Sequence, residues 1–434
     1  MRPRAAYPTG VLSSKRMDIP LVNLSSLLRS RLVDSADEKL GRVDDLILRL
    51  GDEGYPPVTG LKARIGRREV FVPADRIVRI EPGVVQLRGA QVDLGRFERR
   101  EGEVLLRQDL LGRRLINVVG ARLVRADDLV LGRVEGWWRV VGVDTRFRSL
   151  FRRLVPAPLR RRLAVRPFLD WASVEPFVHH VPTARLRMGF RRLAKLHPAQ
   201  IADLVEAASH EEGEEIIDAV GEDRELEADV FEELEPEHQV EFLRERSDQE
   251  AATLLASMEA DDAADLLGEL DQERRETLLG LVPWDVQRKV RTLLGYNPAT
   301  AGGLMSPDFV AVLQTGTVAD ALEALRQTGL PEETVTTVFA VDRGRRLTGT
   351  APVVALLKQQ PGTSLAEAAT SAPLTVAPDD ELSEIALRMA DYDLTIIPVV
   401  DDEGVLLGIV TVDDLLELMI PSDWRRRASA LDSD

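Results

Sequence analysis

The sequence predicts a multidomain α+β protein: small β-barrels, then an all-α helical solenoid, then a tandem α/β pair. Three observations predict it. A motif of short alternating segments recurs in the first third, a run of short amphipathic units fills 193–298, and two copies of a β-α-β pattern fill 304–420. At 434 residues the chain is too long for a single core.

The repeat comes first. Leu28-x-x-Arg31-Leu32 and Leu40-x-Arg42-x-Asp44-Asp45-Leu46-x-Leu48 return as Leu111-x-x-Arg114-Leu115 and Leu123-x-Arg125-x-Asp127-Asp128-Leu129-x-Leu131, 83 residues later (28 to 111). Both copies alternate apolar and polar residues and are punctuated by Gly or Asp, as small barrels require. Three more strand candidates follow the first copy, at 69–72, 77–80 and 84–87. The string DSADEKLGRVDDLIL (34–48) followed by VFVPADRIVRI (70–80) resembles the PRC-barrel family, small interaction modules. The first barrel is placed at 18–95 and a second, divergent copy at 103–145, with Trp137 and Trp138 where a plain strand would do.

Residues 146–192 read as an Arg/Pro-rich linker with one or two short helices. Residues 141–196 carry 13 Arg/Lys against 3 Asp/Glu, whereas 201–280 carry 28 Asp/Glu against 5 Arg/Lys. The basic block is either a solvated helix face or a docking surface for anionic lipid or an acidic partner. The acidic block can attract cations.

From Leu193 the period becomes helical. Units such as 197–204, 237–243, 250–255, 262–267 and 273–279 place apolar residues at i, i+3 and i+4. None is long enough to bury its own stripe, so stacking into a short solenoid is expected. Beyond Gly295 and Pro298 the pattern turns to strand–helix–strand. The first β-α-β copy (304–362) has strand 309–312, helix 318–327, strand 335–341 and strand 347–349. The second (367–422) has strand 374–376, helix 380–390, strand 396–400, strand 407–410 and helix 412–419; residues 423–434 are a polar tail.

The phrase Ile397-Pro398-Val399-Val400-Asp401-x-x-Gly404 makes the two copies resemble a tandem pair of CBS domains, which bind adenine nucleotides or metals in a cleft. The whole span 193–420 resembles the intracellular part of the MgtE magnesium channel family. Four phrases carry this in order: the acidic helical units, Asp261-Asp262-Ala-Ala-Asp265-Leu-Leu-Gly-Glu-Leu270, Thr300-Ala-Gly-Gly-Leu-Met305, and the two CBS copies. The resemblance implies a magnesium gauge, in which ions hold the acidic helical domain against the CBS pair.

It also implies the ligands: Asp261 and Asp265 on the helical side, the carbonyls of Gly303 and Ala390, and the carboxylates of Asp393, Asp414 and Glu417. Glu417 stands where the family often has aspartate. Magnesium is a hard cation that keeps several waters and takes one or two carboxylates per site, which suits such scattered acids. Asp261 and Asp265, and Asp414 and Glu417, are spaced to share one helical face, where like charges repel. A Gly408-x-x-Thr411-x-x-Asp414 phrase implies an adenine-nucleotide contact through Thr411 and Asp414; helix capping would account for the same two residues. The acidic triplet 401–403 reads as a turn.

Composition narrows the rest. With no cysteine, disulfides and thiolate metal sites are excluded; with 5 histidines a His-rich metal site is not expected. No phosphate loop, catalytic triad or zinc spacing is present, and no run of 18 apolar residues exists, so the reading is a non-enzymatic cytoplasmic regulator that spans no membrane. It senses Mg²⁺, with ATP or another adenine nucleotide as the alternative ligand. The expected partners are a second copy through the CBS pair and a separate membrane transporter for divalent cations; nucleic acid is not expected. Met1 or Met17 can serve as the start.

Overall fold

The computed structural model describes residues 11–12, 21–50, 54–91, 95, 97–145, 168–177, 180–181, 192–331 and 334–420. The tail at 423–434 and most of 146–192 lie outside them. Two compact units divide the chain, Met1–Leu234 and Glu235–Asp434.

The first unit opens with β1 (Val11–Leu12), β2 (Leu21–Asn23), a short helix α1 (Leu24–Leu27), β3 (Arg31–Val33), β4 (Lys39–Arg49), β5 (Val58–Ile65), β6 (Arg68–Pro73), β7 (Ile77–Glu81) and β8 (Val84–Leu87). Then follow β9 (Glu103–Leu105), a helical turn at 106–110, β10 (Arg114–Asn117), β11 (Arg122–Arg125), β12 (Asp128–Val134), β13 (Trp137–Asp144), β14 (Phe168–Asp170) and β15 (Val174–Pro176). They make sheets ordered β6-β5-β4-β3-β8-β7 with β9 added on β4, β1-β14-β13-β12-β2, and β11-β10-β15.

The two copies of the repeat are interlocked. The strand leading into each copy pairs with the other copy: β9 lies on β4 with Ile47 opposite Leu105, and β2 lies on β12 with Val130 opposite Asn23. The paired aspartates of the motif fasten this exchange. Asp45 accepts from the backbone N–H of Arg107 and Gln108, at the start of the helical turn in copy two. Its equivalent Asp128 accepts from Ser25 N and Oγ and from Asn23 Nδ2, at the start of α1 in copy one. Each also accepts from the N–H of its own successor, Leu46 or Leu129. Each carboxylate therefore satisfies the orphan donors of a helical turn in the other copy. One core serves both, with Leu27, Leu46 and Leu61 packed in the same cluster as Leu110, Leu129 and Trp171.

This revises the expected layout of separate barrels at 18–95 and 103–145. Copy two runs on through β14 and β15, inside the segment 146–192 read as linker: β14 pairs with β13 and β15 with β10. The correspondence with copy one is close. Gly60 faces Ile47 and Gly142 faces Val130, and both ladders then slip at the same place. A Cβ at Gly60 would strike the Phe71 ring and the Val72 carbonyl; at Gly142 it would strike the Phe168 ring and the Leu169 carbonyl. A short 3₁₀ turn follows each time, Ala74–Arg76 or Trp171–Ser173. Copy one joins its hairpin β5–β6 by a two-residue turn, Gly66-Arg67; copy two has 145–167 at that point.

Burial outweighs hydrogen bonding at several carboxyls of this unit, Asp128 among them. Burial pushes Asp45 up to about 6 against its three amide donors. It pushes Glu175 up to about 7 against the Arg192 guanidinium. Both folded values exceed the unfolded ones near 4, so between about pH 4 and 7 the folded chain binds more protons than the unfolded chain. The stability that this protonation gives is therefore present at the acid end of the window and falls as pH rises through it. We expect Glu175→Gln to flatten that fall by about 1–3 kcal/mol. Urea midpoints at pH 5 and pH 7.5 for both proteins check it; equal slopes would refute the assignment.

Three helices complete the unit: α2 (Pro198–Ala207), α3 (His210–Val220) and α4 (Arg224–Glu232). Capping chemistry starts them. Pro198 occupies the first turn of α2, Glu212 accepts from Ser209 N and Oγ at the start of α3, and the Asp223 side chain accepts from Leu226 N at the start of α4.

The second unit continues with α5 (Pro236–Glu245), α6 (Asp248–Leu255), α7 (Ala260–Gly268), α8 (Gln272–Leu281), α9 (Trp284–Leu293) and the short α10 (Ala301–Leu304). Helices two apart pack together, α5 on α7, α6 on α8 and α7 on α9, which is the stacking the short amphipathic units call for. Adjacent arginines on α8 tie this stack. Arg274 donates to the carbonyls of Leu243, Arg244 and Arg246 at the end of α5. Arg275 donates to those of Leu267, Gly268 and Leu270 at the end of α7. Each cation thus sits at the negative end of a helix dipole.

The tandem pair follows: β16 (Ala311–Leu313), α11 (Val318–Gln327), β17 (Thr337–Val341), β18 (Leu347–Pro352), α12 (Val353–Leu356), α13 (Leu365–Ala368), β19 (Thr370–Ser371), α14 (Leu382–Asp391), β20 (Ile396–Val400), β21 (Leu406–Thr411) and α15 (Val412–Met419). The helices predicted at 318–327 and 412–419 form with those limits. The strand expected at 374–376 is reduced to a single parallel bridge, Val376 to Val399. The copies share a small core of Phe339, Val341, Ile396, Leu406 and Ile409.

Equivalent Asx turns close the two hairpins. Asp342 Oδ1 accepts from Gly344 N and Arg346 N, and Asp401 Oδ1 from Glu403 N and Val405 N, as the turn reading of 401–403 expects. The left-handed position in these turns is Gly404 in one copy and Arg345, at φ 63°, in the other. Arg345→Gly should therefore stabilise the second unit by about 0.5–1 kcal/mol, read as a rise in its denaturation midpoint. A fall would mean that the exposed arginine side chain contributes more than its backbone strain costs.

Candidate functional site

The acids singled out by sequence sit on two sets of elements in the second unit. Asp261 lies in the first turn of α7 and is buried, and Asp265 follows one turn later. Asp265 is exposed, yet its carboxyl is pushed up to about 6, first by the protein on its inner side and then by Glu269 one further turn along. The charged form is thus held at a cost that a cation would remove.

The other set is on the CBS pair. Ala390 is exposed in the last turn of α14, where helix carbonyls lack intrahelical partners. Asp393 follows at φ 53°, exposed. Asp414 lies in the first turn of α15 and Glu417 one turn on, exposed. Burial raises the Asp414 carboxyl; hydrogen bonds from Thr411 oppose this, while Asp413 and Glu417 reinforce it. Packing of α14 on α15 brings these four residues to one end of the second CBS copy, and Val412 N donates to Thr395 O between them.

Thr411 and Asp414 form the capping box of α15. Asp414 N donates to Thr411 Oγ1 and Thr411 N to Asp414 Oδ2, each at 3.3 Å. The first CBS copy has Pro352 at the equivalent cap, without a side-chain bond.

Gly303 is buried, and its surroundings explain the Ala-Gly-Gly-Leu-Met phrase. A Cβ on Gly303 would collide with the Asn297 carbonyl and Pro298, and one on Gly302 with the Tyr296 ring. The small residues let this segment lie on the second CBS copy, where Ala301 N and Gly302 N donate to the carbonyls of Asp380 and Pro378. Ser306 and Ile409 exchange both backbone bonds just beyond.

Two acids escaped the sequence reading. Glu269 is four residues beyond Asp265, and Asp413 adjoins Asp414, so the spacing alone could have found both. A third feature had no sequence signal: Lys289 of α9 holds both oxygens of Asp308, at 2.6 and 2.8 Å.

An acidic helical stack joined to a CBS pair defines a class of regulatory modules rather than a catalytic fold. Residues 196–299 match the MgtE intracellular N domain, and residues 365–421 match the CBS domain. The chain thus carries a segment similar to the intracellular N domain of the MgtE magnesium transporters, followed by one that matches the CBS domain. It is 35% identical over 195 residues to the magnesium transporter MgtE of Thermus thermophilus, a match covering 44% of this chain and 43% of that protein. The Bacillus subtilis magnesium transporter MgtE is 29% identical over 192 residues, with the same coverage. The chain therefore spans under half the length of these relatives. The crystal structure of the cytosolic domain of the Mg²⁺ channel MgtE in complex with ATP aligns over 53% of this chain and 94% of its own, at 33% identity and a TM-score of 0.50. No described helix is long and apolar enough to cross a membrane.

Proposed function

We propose that the chain is a magnesium-sensing regulator. Hydrated Mg²⁺ bridges the acids of α7 (Asp261, Asp265) to those of the second CBS copy (Asp393, Asp414, Glu417), with the carbonyls of Gly303 and Ala390 contributing. The observation that carries this reading is the placement of Asp261 and Asp265 one turn apart on α7, and of Asp414 and Glu417 one turn apart on α15, in a segment similar to the cytosolic domain of a Mg²⁺ channel. Acids gathered at one place repel, and an ion between them shifts the domain arrangement by its differential affinity. The regulated partner is a separate membrane transporter of divalent cations. A second copy of the chain docks through the CBS helices, where Leu416 and Met419 of α15 and Ile420 just beyond it form an exposed stripe and Val354 and Leu357 are exposed at α12.

A second reading has one specific support: the similar channel domain is an ATP complex. In that reading Thr411 and Asp414 hold an adenine nucleotide. Titrating the protein separately with Mg²⁺ and with ATP, while following its radius of gyration by X-ray scattering, tests both. Compaction by Mg²⁺ alone supports the ion-sensing reading, and a response to ATP alone supports the nucleotide reading.

A further inference from the structure

The first unit includes both the β repeat and the first three helices of the domain that matches MgtE, and the join between them is specific. Arg114, on β10, reaches the junction of α2 and α3. Its Nη1 donates to the Ala207 carbonyl at the end of α2, at 3.0 Å, and its Nη2 pairs with Glu212 in the first turn of α3, at 2.5 Å. Glu212 is itself fixed, because it accepts from Ser209 N and Oγ. One guanidinium therefore reads a helix C-terminus and the capping carboxylate of the next helix together, a geometry its planar fork suits.

A second arginine holds the chain where it enters the helices. Arg192 donates from Nη1 to the carbonyls of Trp171 and Val174, and its Nε lies 3.8 Å from the buried Glu175 of β15. Its neighbour Leu193 is fully buried, and α2 packs against β11. One pin ties β10 to the α2–α3 junction and the other ties the entry to α2 to the turn at 171–173 and to β15, so together they restrain rotation as well as separation.

We propose that the β repeat is a rigid extension of α2–α4, so that whatever displaces these helices carries the repeat with them as one body. The repeat is then the moving arm of the regulator and the part that delivers its state to a partner. That last consequence rests on the ion-sensing reading above; the rigidity itself does not.

The chain has no cysteine, so engineered pairs label cleanly. Spin labels at Val119→Cys and Asp218→Cys, both exposed, span the join; labels at Val78→Cys and Val119→Cys lie within the repeat. Pulsed dipolar distances in the full chain, without added Mg²⁺, should give one narrow distribution for each pair. Arg114→Ala with Arg192→Ala should broaden the spanning pair and leave the internal pair narrow, and Arg114→Lys with Arg192→Lys should recover it only in part. A broad spanning distribution in the parent protein, or a narrow one in the double alanine variant, would overturn the proposal. If the internal pair also broadens, the repeat has unfolded. The decision then passes to Arg114→Gln with Arg192→Gln, in which a narrow spanning pair likewise overturns it. A second titration with Mg²⁺ tests ion sensing apart from rigidity: absence of any response removes the first and leaves the second standing.

Discussion

Asp128→Ala should destabilise the first unit by about 3–5 kcal/mol, because it strips several buried donors of their acceptor at once. Asp128 is fully buried, and the Asn23 amide, the Ser25 amide and hydroxyl and the Leu129 amide all converge on it. The loss is not confined to the copy that contains it, since Asn23 and Ser25 lead into copy one. Asp45→Ala should act through copy two in the same way, though less strongly, with three backbone amides left unpaired. Asp128→Asn should recover much of the loss: the amide oxygen still accepts, and burial already disfavours the charge of the native carboxyl. Urea denaturation of the three variants decides it. If Asp128→Ala and Asp128→Asn cost the same small amount, the cross-copy capping does not hold the repeat together.

The second large effect is expected on α8. Arg274→Ala with Arg275→Ala should cost the helical stack about 3–5 kcal/mol, since each guanidinium serves three carbonyls at a helix end and charged hydrogen bonds are worth about twice neutral ones. The expected pattern is local. Amide exchange should accelerate in the last turns of α5 after Arg274→Ala and in those of α7 after Arg275→Ala, while the CBS pair keeps its protection. Lysine at either place should fail to rescue fully, because a point cation cannot address three carbonyls in one plane. Uniform acceleration across the whole unit would show that the arginines act only through bulk charge.

The CBS pair was the most legible part of the fold. Its second copy keeps Gly408, the Asp401 turn and a polar cap at Thr411, and its strands and helices follow one another without interruption. The β repeat was legible only by halves. The matching Leu, Arg and Asp residues reveal two copies, but residues 145–167 separate β13 from β14. The phrase around Phe168–Val174 therefore no longer stands where the first copy places Phe71–Ile77. The exchange of β2 and β9 between copies leaves no periodic trace, because a strand's alternation does not name its partner. The same holds for Arg274 and Arg275: their targets are carbonyls, which every residue has, so no spacing announces them. Of the candidate site, the acids were singled out by the resemblance, and helical spacing only pairs Asp261 with Asp265 and Asp414 with Glu417. The reason for Gly302 and Gly303 was not readable, since it lies in Tyr296 and Asn297 pressing on them.

The central claim is that a hydrated dication relieves the repulsion among the acids of α7 and of the CBS pair. The most direct measurement is small-angle scattering across a Mg²⁺ titration, comparing the parent chain with Asp261→Asn, Asp265→Asn and Asp393→Asn combined. The account predicts that the parent contracts as the ion is added and that the triple variant keeps one radius throughout. Equal contraction of the two proteins over the same concentration range would contradict it.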